Sequence, residues 1–203
     1  MGRSARAVIL PRLLVLTDRT QTGGRPLVDV VQAAVAGGAR AVVLREKDLP
    51  QPERARLTAA LRAVLAEVDG TLLAASDASL DTDGVHLGAN DPFPAVRPRI
   101  VGRSCHNPEE LRRAAGAGCT YATLSPVFAS ASKPGYGPAL GTGALTDRSL
   151  PVFALGGVST DNAKECVTAG AAGVAVMGAV MRAADPAAVV AALMARLPAG
   201  ATR

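Results

Sequence analysis

The chain contains no tryptophan, two tyrosines and three phenylalanines, so that aromatic residues make up 2% of it. A hydrophobic interior must therefore be assembled from alanine, valine and leucine. The same scarcity argues against a nucleic-acid partner. The net charge is +5, but the basic residues are scattered and nothing supplies a stacking platform for bases. Cysteine is also scarce. Cys105, Cys119 and Cys166 are widely spaced and odd in number, which excludes a disulfide framework and suits a reduced, cytoplasmic setting. His86 and His106 are the only histidines and lack metal-ligand spacing, so zinc is not expected. No GxSxG elbow offers a serine nucleophile. Apolar runs fall well short of the ~18 residues that span a bilayer, so no membrane association is expected. The opening MGRSARAVILPRLLVL is basic and then apolar, but Arg12 interrupts it and Asp18-Arg19 follow without a small-residue cleavage site. It reads as a first strand.

What is present is alternation. Hydrophobic residues make up 49% of 203 residues, enough for one core in a single domain spanning 1–203. Short apolar runs at 13–16, 41–44, 71–75, 84–88, 99–103, 120–124, 152–155 and 173–177 read as strands. Helical patterns lie at 27–36, at 51–68 with Leu57, Leu61 and Leu65 on one face, from Pro108 behind an Asn107 cap, from Thr160-Asp161 to Ala169, and from Asp185-Pro186 to about Leu197. Asp91-Pro92 is read as the opening of a further, brief helix. AAVAGGARAVVLRE, RAAGAGCTYATLSP and TAGAAGVAVMGA repeat one theme: helix end, glycine stop, apolar strand, polar tip. Strands alternating with helices predict an α/β fold with a parallel sheet, and about eight units predict a closed (β/α)8 TIM barrel. An open doubly wound sheet is the alternative, but no GxGxxG follows the first strand.

In a barrel, the C-terminal strand tips meet at one mouth. Gly156-Gly157 and Met177-Gly178 close the last two strands, where bare backbone amides can approach a phosphate. Glycines also end strands in any α/β protein. Arg45 and Lys47 alternate along an extended segment and can face one diphosphate, although Arg45-Glu46-Lys47 also reads as a solvated charge mix. Asp77 and Asp91 follow adjacent strands and suit a shared Mg²⁺; as helix N-caps they would be ordinary. Ser76 and Ser104 are further polar tips. The stretch 130–137 offers Ser130, Ser132 and Lys133 among glycines that would let it fold over a ligand, or it is a plain Ser/Gly/Pro loop. A basic mouth of this kind takes small phosphorylated molecules, and the sequence leaves homo-oligomerisation open.

Taken in order, LREK (44–47), DGVHLGAND (83–91), GRSCHN (102–107), LSPVFASASKPGYGPALG (124–141), ALGGV (154–158) and VAVMGAV (174–180) resemble the thiamine phosphate synthase family, over nearly the whole chain. The resemblance implies a transferase that joins hydroxymethylpyrimidine diphosphate to thiazole phosphate with Mg²⁺, releasing diphosphate. It implies that Arg45, Lys47, Ser104 and Lys133 hold the pyrimidine diphosphate. Asp77 and Asp91 would hold Mg²⁺, Ser130 and Ser132 would meet the thiazole, and Gly156, Gly157, Met177 and Gly178 would grip its phosphate. Three positions depart from the family pattern. Val43 stands where the family usually has Gln, Ser76 where it has Asn, and Ala89 where it has Gln. These departures weaken the pyrimidine half and keep open a diverged paralogue, a thiazole tautomerase-like isomerase, or a phosphate-binding regulator. The tautomerase subfamily carries His where this chain has Pro126.

Overall fold

The computed structural model describes residues 10–129, 138–146 and 149–198. Eight parallel strands pair in chain order: β1 (Leu13–Leu16), β2 (Ala41–Leu44), β3 (Thr71–Ala75), β4 (Gly84–Leu87), β5 (Ile100–Cys105), β6 (Tyr121–Leu124), β7 (Val152–Ala154) and β8 (Gly173–Val176). β8 closes on β1, with Leu13 opposite Val174, so the expected barrel forms.

Why these runs make strands follows from burial on both faces, which parallel barrel strands require. Alternate side chains divide into two cores. Val15, Val42, Leu72, Ala122 and Val174 face the helical layer. Leu14, Val43, Leu73, Tyr121, Phe153 and Ala175 face inward. The strands are staggered, so inward residues from alternate strands share a level. Val43, His86, Thr123 and Ala175 make one level. Leu16, Ala75, Ser104 and Leu155 make the next, toward the mouth. Below them the Tyr121 ring crosses the interior over Gly102, where any Cβ would collide with it.

The outer layer contains α1 (Leu27–Ala36), α2 (Gln51–Ala66), α3 (Pro108–Gly116), α4 (Ala163–Thr168), α5 (Gly178–Met181) and α6 (Pro186–Arg196). Leu61 and Leu65 of α2 are buried as their spacing predicts, with Leu57 partly so. The Asn107 cap forms, its Oδ1 accepting from Glu110 N at 2.9 Å. Asp185 likewise caps α6 through Ala188 N, at 3.0 Å. Two helix expectations fail. α4 begins at Ala163 and not at Thr160-Asp161, because Asn162 Oδ1 instead accepts from Ser159 N, at 2.8 Å, and holds the preceding turn. The brief helix at Asp91-Pro92 is absent. Pro92, Pro94 and Pro98 remove its donors, and the segment is held by the guanidinium groups of Arg97 and Arg103 over Phe93, 4.5 and 5.0 Å from the ring centre. Among the described residues the β3–β4 and β4–β5 connections carry no helix.

Candidate active site

The tip of β2 is built around a buried carboxylate that sequence reading left within a charge mix. Glu46 is 3% exposed. It accepts from the Thr17 hydroxyl at 2.7 Å, from Arg19 N at 3.2 Å and from Arg19 Nη1 at 3.1 Å. Thr17 Oγ1 in turn accepts from Arg45 N at 3.0 Å. Strand alternation supplies the signal that was available: Glu46 must point away from Arg45 and Lys47, toward β1. The arrangement fixes the Arg45 backbone, and its guanidinium reaches Met177 Sδ, 2.9 Å away at the end of β8. The Asp18 carboxyl sits below its usual range. Burial pushes it up, but hydrogen bonds from Thr20 and Gln21 and the charge of Arg45 outweigh that.

The β3 and β4 tips are joined by Ser76. Its backbone adopts φ +61°, a conformation that costs a Ser more than an Asn. Its N–H donates to His86 O at 2.9 Å, and its hydroxyl donates to Asp91 Oδ2. Asp91 Oδ2 also accepts from Gly88 N at 2.7 Å. Arg103 clamps the same loop by donating to the carbonyls of Gly88, Ala89 and Asp91 at 3.0, 2.9 and 2.9 Å. Burial raises the Asp91 pKa, yet Ser76, Gly88 and the charges of Lys47 and Arg103 bring it below the usual carboxylate range. Asp77 turns toward α2. It accepts from Ser79 N at 2.9 Å and pairs with Arg54 Nη1 at 2.7 Å. Its carboxyl is also lowered, burial being outweighed by Ser79 and Arg54. Neither aspartate precedes a helix, so the capping reading falls. Among the described residues no three or more His, Cys, Asp or Glu side chains gather as a metal site.

Beneath these tips runs a polar column. The Tyr121 hydroxyl lies 2.8 Å from His86 Nδ1, and His86 Nε2 lies 3.0 Å from Ser104 Oγ. Burial, with the charges of Arg45 and Lys47, drives the His86 pKa down to about 3, so the ring is neutral. Burial also raises the Tyr121 pKa, so its proton stays on. Among the described residues that proton has one acceptor, Nδ1; the opposite tautomer would strand a buried donor at a cost of about 1–3 kcal/mol. The ring is therefore Nε2–H, and Ser104 Oγ accepts from it. Thr123, on the level of His86 and Val43, is fully buried, and its hydroxyl finds no partner among the described residues.

The β7 and β8 tips are adjacent. Gly156 and Gly157 have φ +88° and +65°. A Cβ on Gly156 would lie 2.8 Å from Pro126 Cα, and one on Gly157 would run into Ala129 O. These glycines thus seat the β6 loop, whose Val127 and Phe128 amides donate to the carbonyls of Leu155 and Gly156 at 2.9 and 3.0 Å. The amides of Gly156, Gly157 and Val158 meet no acceptor among the described residues. α5 starts directly at Gly178, and the Arg182 guanidinium lies over it while bonding Gln21. Sequence reading passed over Arg182, as it did Tyr121, Arg103 and Arg54.

Arg45, Lys47, Asp91 and Arg103 all act electrostatically on His86, so the structure brings these tips to one mouth. Asp77 joins through Ser76 but faces Arg54. Ser130, Ser132 and Lys133 lie outside the described residues. The Cys105 thiol faces the helical layer, and burial pushes its pKa up to about 12, so it keeps its proton near neutral pH.

A family model described as thiamine monophosphate synthase matches residues 13–180. A thiamine-phosphate synthase of Roseiflexus castenholzii is 41% identical over 187 residues, covering 85% of this chain and 82% of the relative. One from Methanoculleus marisnigri is 37% identical, covering 85% and 89%. A solved thiamine phosphate pyrophosphorylase from Pyrococcus furiosus superposes with a TM-score of 0.80 at 30% identity, covering 91% of this chain and 94% of the other.

Proposed function

The chain belongs to the thiamine monophosphate synthase family, and we propose that it transfers the pyrimidinylmethyl group of hydroxymethylpyrimidine diphosphate to the nitrogen of thiazole phosphate. The products are thiamine phosphate and diphosphate. The observation that carries the reading is the contact of Arg45 with Met177. That contact joins the β2 tip to the β8 tip, which supports a reading in which the cations at β2–β5 and the glycines at β7–β8 each take one of two phosphorylated substrates.

In this reading the bond between the methylene carbon and the diphosphate oxygen breaks, and its electrons leave with diphosphate. The thiazole nitrogen lone pair then forms the new carbon–nitrogen bond. No protein nucleophile is needed, so positioning and electrostatic stabilisation do the work. Arg45 and Lys47 hold the diphosphate and stabilise its growing charge, with Ser104 donating beside them and Lys133 as a further cation for it. The bare amides of Gly156 and Gly157, with Met177-Gly178, hold the thiazole phosphate, and Ser130 and Ser132 meet the same substrate. Ser76 orients Asp91. Asp91 Oδ1 takes no hydrogen bond among the described residues, and Mg²⁺ commonly uses one or two carboxylates plus substrate phosphates. Asp91 would therefore hold Mg²⁺, and Asp77, which turns toward Arg54, would be the second carboxylate in this reading. Such an ion would neutralise diphosphate charge.

Val43 favours one alternative, a paralogue acting on another phosphorylated small molecule, because a sealed valine offers no amide to a pyrimidine. Calorimetric titration of each substrate with and without Mg²⁺ tests both readings. Saturable binding of both, with the pyrimidine diphosphate strengthened by Mg²⁺, is expected. Thiazole phosphate binding alone would favour the paralogue, and binding of neither would remove both.

A further inference from the structure

We infer that Tyr121 and His86 are positioning residues, which fix Ser104, the serine read above as a contact of the diphosphate substrate, as a hydrogen-bond donor rather than an acceptor. The inference deepens the proposed function and rests on it for the identity of the ligand. Among the described residues the Tyr121 hydroxyl has His86 Nδ1 as its single partner, at 2.8 Å, and Ser104 Oγ has His86 Nε2 as its own, at 3.0 Å. With the tyrosine proton committed to Nδ1, the Nε2 proton is committed to Ser104 Oγ. The serine proton is then the column's one unspent donor. Ser104 is partly exposed on the level nearest the mouth, whereas His86 and Tyr121 beneath it are buried. The proton consequently turns outward, toward the mouth that carries Arg45 and Lys47, whose charges also reach His86. Those side chains are themselves donors and cannot take it. Whatever atom lies opposite Ser104 must present a lone pair, either a diphosphate oxygen or a ring nitrogen of the same substrate. A serine without this column would rotate to accept or donate equally well. Here the choice is made before the substrate arrives, which is the preorganisation that charge-stabilising sites use.

The tautomer is testable on the unliganded protein, independently of any catalytic activity. Long-range ¹H–¹⁵N spectra of the full chain, with the His86 signals identified through His106→Gln, should show neutral Nε2–H imidazole near neutral pH. Tyr121→Phe should mix the tautomers. An Nδ1–H ring in the native protein overturns the inference. Two substitutions then separate positioning from support. A glutamine at 86 can place an amide donor near the Nε2 position, whereas an asparagine reaches only toward Tyr121. His86→Gln should therefore retain turnover within about tenfold, and His86→Asn should lose on the order of 100-fold. Equal losses would mean that the histidine only fills space. If either variant fails to fold, Tyr121→Phe, which keeps the ring, carries the same test. It should raise KM for the diphosphate substrate or lower kcat several-fold, and unchanged kinetics would overturn the role. Binding of inorganic diphosphate to Ser104→Ala identifies the acceptor. Weakened binding assigns a diphosphate oxygen. Unchanged binding with a raised substrate KM assigns a ring nitrogen. No change in either removes the donor role.

Discussion

Arg45 Nη1 and Met177 Sδ lie 2.9 Å apart, although 132 residues separate them in the chain. The contact ties the β2 tip to the β8 tip at the point where the closed sheet brings β1 between them. Arg45→Lys keeps the charge but loses the planar fork and the reach across β1. Turnover is expected to fall on the order of 100-fold with little change in melting temperature. Steady-state kinetics beside a thermal melt decide it, and native-like turnover would show that a point charge suffices.

Glu46 should behave as a structural keystone. Glu46→Ala leaves the Thr17 hydroxyl and the Arg19 amide without their acceptor in a buried setting. A stability loss of about 3 kcal/mol follows, readable by urea denaturation. A loss below about 1 kcal/mol would mean that solvent substitutes for the carboxylate.

His86 sets the acid limit of stability. Its folded pKa is depressed to about 3 from the ordinary 6.5 of a histidine, burial being the main cause. Below that ordinary value the unfolded chain takes up a proton that the folded chain refuses. Stability is therefore full above that value and falls by up to ~1.4 kcal/mol per pH unit as the pH drops toward the folded pKa. The lowered carboxyls of Asp18, Asp77 and Asp91 act only further down, below the ordinary Asp range. Denaturant melts between about pH 7.5 and 4.5 should show this slope in the native chain and its loss in His86→Gln.

Thr123 carries a buried hydroxyl with no partner among the described residues. Thr123→Val should raise stability by roughly 1 kcal/mol, because it removes an unsatisfied polar group at nearly constant shape. A lower melting temperature would instead show that the hydroxyl is bound to buried water.

The barrel was legible because each strand is a short apolar run stopped by glycine or a polar tip, and Asn107 and Asp185 announced their helices through capping chemistry alone. The site was legible where alternation or motif order carried it, as at Arg45, Lys47 and Ser104. It was not legible where long-range register decides. Tyr121, His86 and Ser104 come from three strands, and only their stagger stacks them into one column. Arg54 takes Asp77 from the first turn of α2, and Arg103, which looked like one more basic residue, clamps the Asp91 loop. The false helix at Asp91-Pro92 shares its local signal with true helix starts. It fails because Asp91 bonds back to Gly88 and two further prolines follow.

The most direct measurement of the central claim is mass spectrometry of the purified protein incubated with hydroxymethylpyrimidine diphosphate, thiazole phosphate and Mg²⁺. Thiamine phosphate should appear in step with released diphosphate, and should vanish when either substrate is withheld. No product, under conditions where a working synthase forms it, would contradict the account.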